Sequence, residues 1–147
     1  MTAPTLEDAI ALAALAHRGQ VDKAGQPYIL HPLRVMLSVE GTEARIAAVL
    51  HDVVEDTDWT LEKLCAAGYS EPVQHALWHL TKRDGEAYPD FIARAARDPV
   101  ARVVKLADLA DNMDLRRLPN PPPTDHARLD RYRAAWRQLT DAPLPHP

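Results

Sequence analysis

A chain of 147 residues fits one core, large enough to bury roughly 70% of its unfolded surface without covalent staples. A net charge of −4 excludes a broad basic nucleic-acid surface, although a small phosphorylated ligand needs only a metal and a few local cations. With 46% hydrophobic but 5% aromatic residues, and Ala and Leu prominent, the composition predicts an all-α protein.

The single cysteine, Cys65, excludes an internal disulfide framework, fits a reducing compartment and is expected to be half-buried. No apolar run approaches the ~20 residues that span a bilayer, and the start "MTAPTLEDA" lacks a basic leader, so a cytoplasmic protein with no membrane partner is expected. Self-association into a homo-oligomer stays open.

In chain order, Thr5 with Asp8 forms an Asp version of the capping box, opening a first helix that runs through Ala16. Gly19, Gly25 and Pro27 mark a loop. His31 stands before Pro32, a favoured first helical residue, and so is predicted at the junction into the helix "PLRVMLSVE". The next segment, "EARIAAVLHDVVED", reads as one continuous helix with Ile46, Val49, Leu50, Val53 and Val54 on its buried face. A short helix "WTLEKLCAAG" closes at Gly68, and Ser70 is predicted to cap "EPVQHALWHLT". After a polar break at 82–86 come "YPDFIARAAR" and, capped by Asp98 with Pro99 at its first position, "PVARVVKLADLADNMDLRR". The run "PNPPP" stops that helix, Thr124 is predicted to cap a last one through Thr140, and a Pro-rich tail over 141–147 is expected to be loose. The reading is one domain over 1–147, with its core about 5–140.

The stretch "LHDVVEDT" sets four ionisable groups in an apolar run. On a continuous helix, His51, Asp52, Glu55 and Asp56 fall within an arc of roughly 140°. Unpaired charge crowded on one stripe is costly to bury, and a divalent cation held by His51 and Asp52 removes that cost. Glu55 and Asp56 are then free to orient or deprotonate an attacking water. In "VVKLADLADN", Lys105, Asp108 and Asn112 form a polar stripe about 60° wide, which taken alone also reads as an i,i+3 ion pair at the edge of the core.

Together "GQPYILHP", "AAVLHDVVEDT" and "VVKLADLADNM", with a fainter match through "RLDRY", resemble the HD-domain metallohydrolases. Within them the likeness is to the (p)ppGpp hydrolase domain of RelA/SpoT homologues and the small stand-alone alarmone hydrolases. The resemblance implies an HD-domain helical bundle and a metal-dependent 3′-pyrophosphohydrolase that takes pyrophosphate from the 3′ position of (p)ppGpp, leaving GDP or GTP. It implies His31, His51, Asp52 and Asp108 as ligands of one ion, Mn2+ or another divalent metal, and Glu55 and Asp56 as the acids that handle the attacking water. It also implies that Lys23, Asn112, Arg128 and Tyr132 bind the nucleotide.

One position departs: where many relatives carry two basic residues before the loop, this chain has Asp22 and Lys23. That sets an anion in place of a stacking cation and leaves base preference open. The alternatives are an HD phosphohydrolase for another nucleotide and a non-catalytic nucleotide-binding module. The chain ends soon after Trp136, so alarmone synthesis is not expected. His75 and His79 are read as packing or surface residues and Trp136 as core, while Tyr132 is balanced between packing and binding.

Overall fold

The computed structural model describes residues 2–117 and 121–143. Among them the chain forms α1 (Leu6–Ala16), α2 (Leu30–Leu37), α3 (Thr42–Leu50), α4 (Val53–Asp56), α5 (Leu61–Ala66), α6 (Glu71–Leu80), α7 (Tyr88–Ala95), α8 (Pro99–Asn112) and α9 (Pro123–Asp141). The only β pairing among these residues is an isolated bridge, Val21 to Pro27, inside the first loop. The protein is all-α.

Helix α3 is the hub. Ile46, Ala47, Ala48, Val49 and Leu50 are all buried, five consecutive residues that make the second half of α3 apolar on every side. It packs against α1, α2, α6 and α8. The larger core gathers Ala9 and Ala13 of α1, Val35 and Met36 of α2, Leu77 and Leu80 of α6, and Ala101 and Val104 of α8 around it. Burying Leu50 completely stabilises the fold by about 1.5–3 kcal/mol. A smaller cluster packs Phe91 and Ile92 of α7 and Ala135 and Leu139 of α9 on Leu109 of α8. Helix α8 therefore belongs to both clusters, which puts any polar stripe on it between two rigid bodies of packing.

Several predicted ends are observed. Thr5 and Asp8 exchange both capping-box bonds, at 2.8 and 3.2 Å, and Asp98 Oδ1 accepts from the Ala101 amide at 2.8 Å. Arg94, buried in α7, donates from Nε and Nη2 to both oxygens of Glu86 at 3.0 and 2.8 Å. It also donates to the Trp78 and Thr81 carbonyls at the end of α6. That staple meets the need of a buried guanidinium for partners and fixes the angle between α6 and α7.

Other expectations are corrected. The helix predicted through 43–56 breaks at His51 and Asp52: the His51 amide bonds three residues back, to the Ala48 carbonyl at 3.4 Å, and α4 starts anew at Val53 after Asp52 (φ −99°, ψ −3°). The His51 ring takes the Ala48 carbonyl, at 2.5 Å, at the point where the ladder loosens. His31 is not at a junction but inside the first turn of α2, since a tight Pro27–Leu30 turn starts that helix two residues earlier than Pro32. Helix α8 ends at Asn112 rather than continuing through Arg117. Ser70 holds the cap position of α6 without a side-chain bond, and α9 begins at Pro123, so Thr124 lies within it rather than capping it. Trp136 is 37% exposed, not core, and Cys65 is exposed. Part of the proline run (119–120) and most of the tail (144–147) lie outside the described residues.

Candidate metal centre and its cleft

Three helices deliver the expected ligand residues to one point. His31 comes from the first turn of α2, Asp108 from the shared helix α8, and His51 and Asp52 from the break that ends α3. One donor atom from each of the four lies within 4.8 Å of the others. His31 Nε2 stands 2.8 Å from Asp108 Oδ1 and 3.6 Å from Asp52 Oδ2, while His51 Nε2 stands 3.2 and 3.0 Å from the same two oxygens. His31, His51 and Asp108 are at most 4% exposed.

The far ring nitrogens settle which atoms are free. His51 Nδ1 sits 2.5 Å from the Ala48 carbonyl, an acceptor only, so Nδ1 carries a proton and Nε2 is the nitrogen that an ion would take in exchange for its proton. His31 Nδ1 is likewise 2.6 Å from Asp111 Oδ2. Both imidazoles thus present Nε2 to a space bounded by two carboxylate oxygens, a donor set that suits a divalent ion. The four imidazole-to-carboxylate distances, 2.8–3.6 Å, bring these donors round one point.

Charge points the same way. Burial opposes ionisation of His51, but Asp52 and Asp108 outweigh it and hold this histidine well above its usual value. Burial also opposes the charged form of His31, and its bonds to Asp108 and Asp111 again win. Asp108 resists burial through Lys105 and the two histidines, and Asp52 chiefly through His51, so both carboxyls fall below the ordinary range. Protons on the rings stand in for positive charge that the acids demand. Lys105 Nζ reaches Asp108 Oδ2 at 2.8 Å, so the i,i+3 ion pair is real and coexists with the cluster. Asn112 Nδ2 donates to Asp108 Oδ1 at 3.2 Å.

Glu55 and Asp56, on the short α4, follow directly. Burial and the nearby charge of Asp52 push both carboxyls up from their ordinary values, although each residue keeps contact with solvent. The Lys82 amide donates to Glu55 Oε1 at 2.6 Å, which fixes that side chain without neutralising it.

A cleft of about 350 Å³ adjoins the cluster, and His31, Tyr28 and Asn112 form their common wall. Lys23, Arg128 and Tyr132 also line it, so all four residues expected to bind nucleotide are together. Its cations are held by acids: Lys23 Nζ donates to Asp125, and Arg128 lies 3.7 Å from the same oxygen. Asp22 lines the cleft too, but its oxygens are engaged by the loop and by Arg117. Its Oδ1 accepts from the Ala24 and Gln26 amides, both at 2.9 Å, and so shapes the loop whose tip is Gly25 at φ +78°.

Four neighbours were not anticipated from the sequence. Tyr28 donates its hydroxyl to Asp52 Oδ2 at 2.5 Å. Asp111 accepts from Arg34 Nε at 2.8 Å and from Arg117 at 2.8 Å, besides His31. Arg117 also reaches Asp22 Oδ2 at 3.3 Å. An acid three residues after Asp108 was a usable signal for Asp111, and Tyr28 stands three before His31. Arg117 carried no signal, because it lies on a turn beyond the end of α8. His75 is exposed and His79 Nδ1 meets the His75 carbonyl at 2.7 Å, with neither in a metal-capable group among the described residues.

Residues 9–84 match the family model described as HD domain. The chain is 37% identical over 136 residues to a probable GTP pyrophosphokinase of Mycobacterium leprae, a match that takes in 84% of this chain and 17% of that protein. It is 35% identical over 123 residues to a guanosine-3′,5′-bis(diphosphate) 3′-pyrophosphohydrolase of Aquifex aeolicus, covering 76% of this chain and 18% of the relative. The chain therefore spans less than a fifth of the length of these relatives. Among solved structures, it superposes with a TM-score of 0.75 and 26% identity on a metazoan ortholog of SpoT that hydrolyses ppGpp and plays a role in starvation responses. That superposition covers 96% of this chain and 87% of the other.

Proposed function

Because the chain belongs to the HD-domain family, we propose that it is a metal-dependent 3′-pyrophosphohydrolase of guanosine 3′,5′-bis(diphosphates), formed as a single hydrolase domain over 1–147 with its core about 5–140. The observation that carries this is the convergence of two imidazole Nε2 atoms and two carboxylate oxygens within 4.8 Å, with both Nδ1 atoms already engaged. His31, His51, Asp52 and Asp108 would hold one divalent ion, with Mn2+ proposed. When bound, the ion supplies Lewis acidity that lowers the pKa of water and offsets charge on phosphate oxygens.

The protein's own groups do the rest. Glu55 and Asp56, their carboxyls raised by burial and by Asp52, orient the attacking water and take its proton. Water oxygen bonds to the phosphorus attached to the ribose 3′ oxygen, the bond to that oxygen breaks, and the oxygen is protonated as pyrophosphate leaves. Lys23, Arg128, Asn112 and Tyr132 position the nucleotide in the cleft, where exchange of Asp125 for phosphate releases Lys23 and Arg128 to the ligand. Tyr28 holds Asp52 in place. No helix among the described residues is long and apolar enough to cross a membrane; cytoplasmic action and self-association are part of the proposal.

A second reading, hydrolysis of a different nucleotide, is favoured by one observation: Asp22 is spent on shaping the loop and offers no cation to stack on guanine. Incubating the protein with Mn2+ and a panel of guanine and adenine nucleotides, with and without a 3′-diphosphate, separates these readings. Pyrophosphate from the 3′-diphosphorylated guanine nucleotide supports the first, and inorganic phosphate from simple nucleotides supports the second. Metal uptake and nucleotide binding without turnover would leave a binding module.

A further inference from the structure

Only one of the two cluster imidazoles is aimed by the main chain. His51 is fixed by the Ala48 carbonyl, within its own helical turn. His31 is fixed by a side chain from another helix, the Asp111 carboxylate, 2.6 Å from Nδ1. That carboxylate is itself clamped. Arg34, one turn after His31 on α2, donates Nε to Asp111 Oδ1 at 2.8 Å, and Arg117 donates to Oδ2 at 2.8 Å. The Asp111 side chain is 11% exposed, so neither rotation nor water readily replaces these bonds. Asp108 and Asp111 lie one turn apart on α8, and therefore one helix supplies both a cluster oxygen and the group that orients the neighbouring imidazole.

We infer that Asp111 is a positioning residue for the metal site: it fixes the His31 proton on Nδ1 and aims Nε2 at the ion. The inference rests on the metal reading proposed above. Carboxylates behind ligating histidines typically contribute 10- to 100-fold to metal affinity by setting tautomer and ring orientation. Arg117 extends the arrangement to the cleft, since its other terminal nitrogen holds Asp22 of the 19–28 loop. The cleft loop and the imidazole are thus tied through one guanidinium.

The test is to titrate ion-free wild type, Asp111→Asn and Asp111→Glu with Co2+, following its visible absorption, and with Mn2+, following the spin-resonance signal of the free ion. Thermal unfolding of each ion-free protein is measured in parallel. The expected result is affinity about 10- to 100-fold weaker in D111N with an altered Co2+ spectrum. D111E, which keeps the charge facing Arg34 and Arg117, recovers part of the affinity. Unchanged affinity and spectrum in D111N overturn the inference, as do affinities that fall only in step with ion-free stability in both variants. Wild type that takes up neither ion overturns the metal reading and this inference together, whereas binding by wild type and D111N alike removes the inference alone.

Discussion

The proposed ion-binding cluster and the cleft beside it share a wall but are built differently. Cluster residues stand against the cores: His51 and Asp52 follow the buried end of α3, and Asp108 sits on the helix common to both cores. Cleft residues come from the 19–28 loop, the turn after α8 and the outer helix α9, and their cations are already paired with Asp22, Asp111 and Asp125. Rigidity suits the first, because ligand geometry must hold within tenths of an ångström. Exchangeable pairs suit the second, because a phosphorylated ligand can trade places with a carboxylate at little cost in charge. On the proposed function, this difference in packing separates affinity for the ion from affinity for the nucleotide.

The largest expected effect breaks the cluster outright. Asp52→Asn is expected to abolish ion retention and reduce pyrophosphate release to background, measured by metal analysis after dialysis and by product assay; a variant that keeps both would erase the distinction between the two regions. Glu55→Gln sharpens it instead, with turnover falling about 10²- to 10⁴-fold while the ion stays bound. Loss of the ion in that variant would place Glu55 in the cluster rather than beside it. On the cleft side, Lys23→Ala removes a charge-assisted contact and is expected to raise KM about tenfold with kcat nearly unchanged. A fall in kcat with KM constant would move Lys23 to the chemical step.

The smallest effect concerns the scaffold under both regions. Arg94 holds Glu86 down to a pKa of about 2, from an ordinary 4.5. A depressed folded value means that this pair stabilises the fold above pH 4.5 and that its contribution fades as pH falls towards 2. Glu86→Gln should therefore flatten the pH dependence of the urea midpoint between pH 5 and 3, and identical curves for variant and wild type would contradict the assignment.

The same contrast governs what the sequence could convey. Caps at Thr5 and Asp98 were legible because a cap is a local bargain between a side chain and an amide three residues on. His31, His51, Asp52 and Asp108 were legible as residues through the motifs that carry them, though their convergence is a fact of tertiary packing. The break after Leu50 was not legible, since Val53 and Val54 continue the apolar rhythm across it. Nor was the Arg117 contact to Asp22, which joins a turn to a loop far away in sequence and leaves no periodic trace.

The hydrogen bond from His51 to the Ala48 carbonyl has a consequence for how the protein can change. Its acceptor is a peptide oxygen, which every residue type at position 48 would provide, so no point substitution there can take away the acceptor itself. The orientation of His31 has no such insurance, because its acceptor is encoded by a single codon. If the proposed ion site holds, drift in ion preference has an open route through one histidine and a nearly closed one through the other.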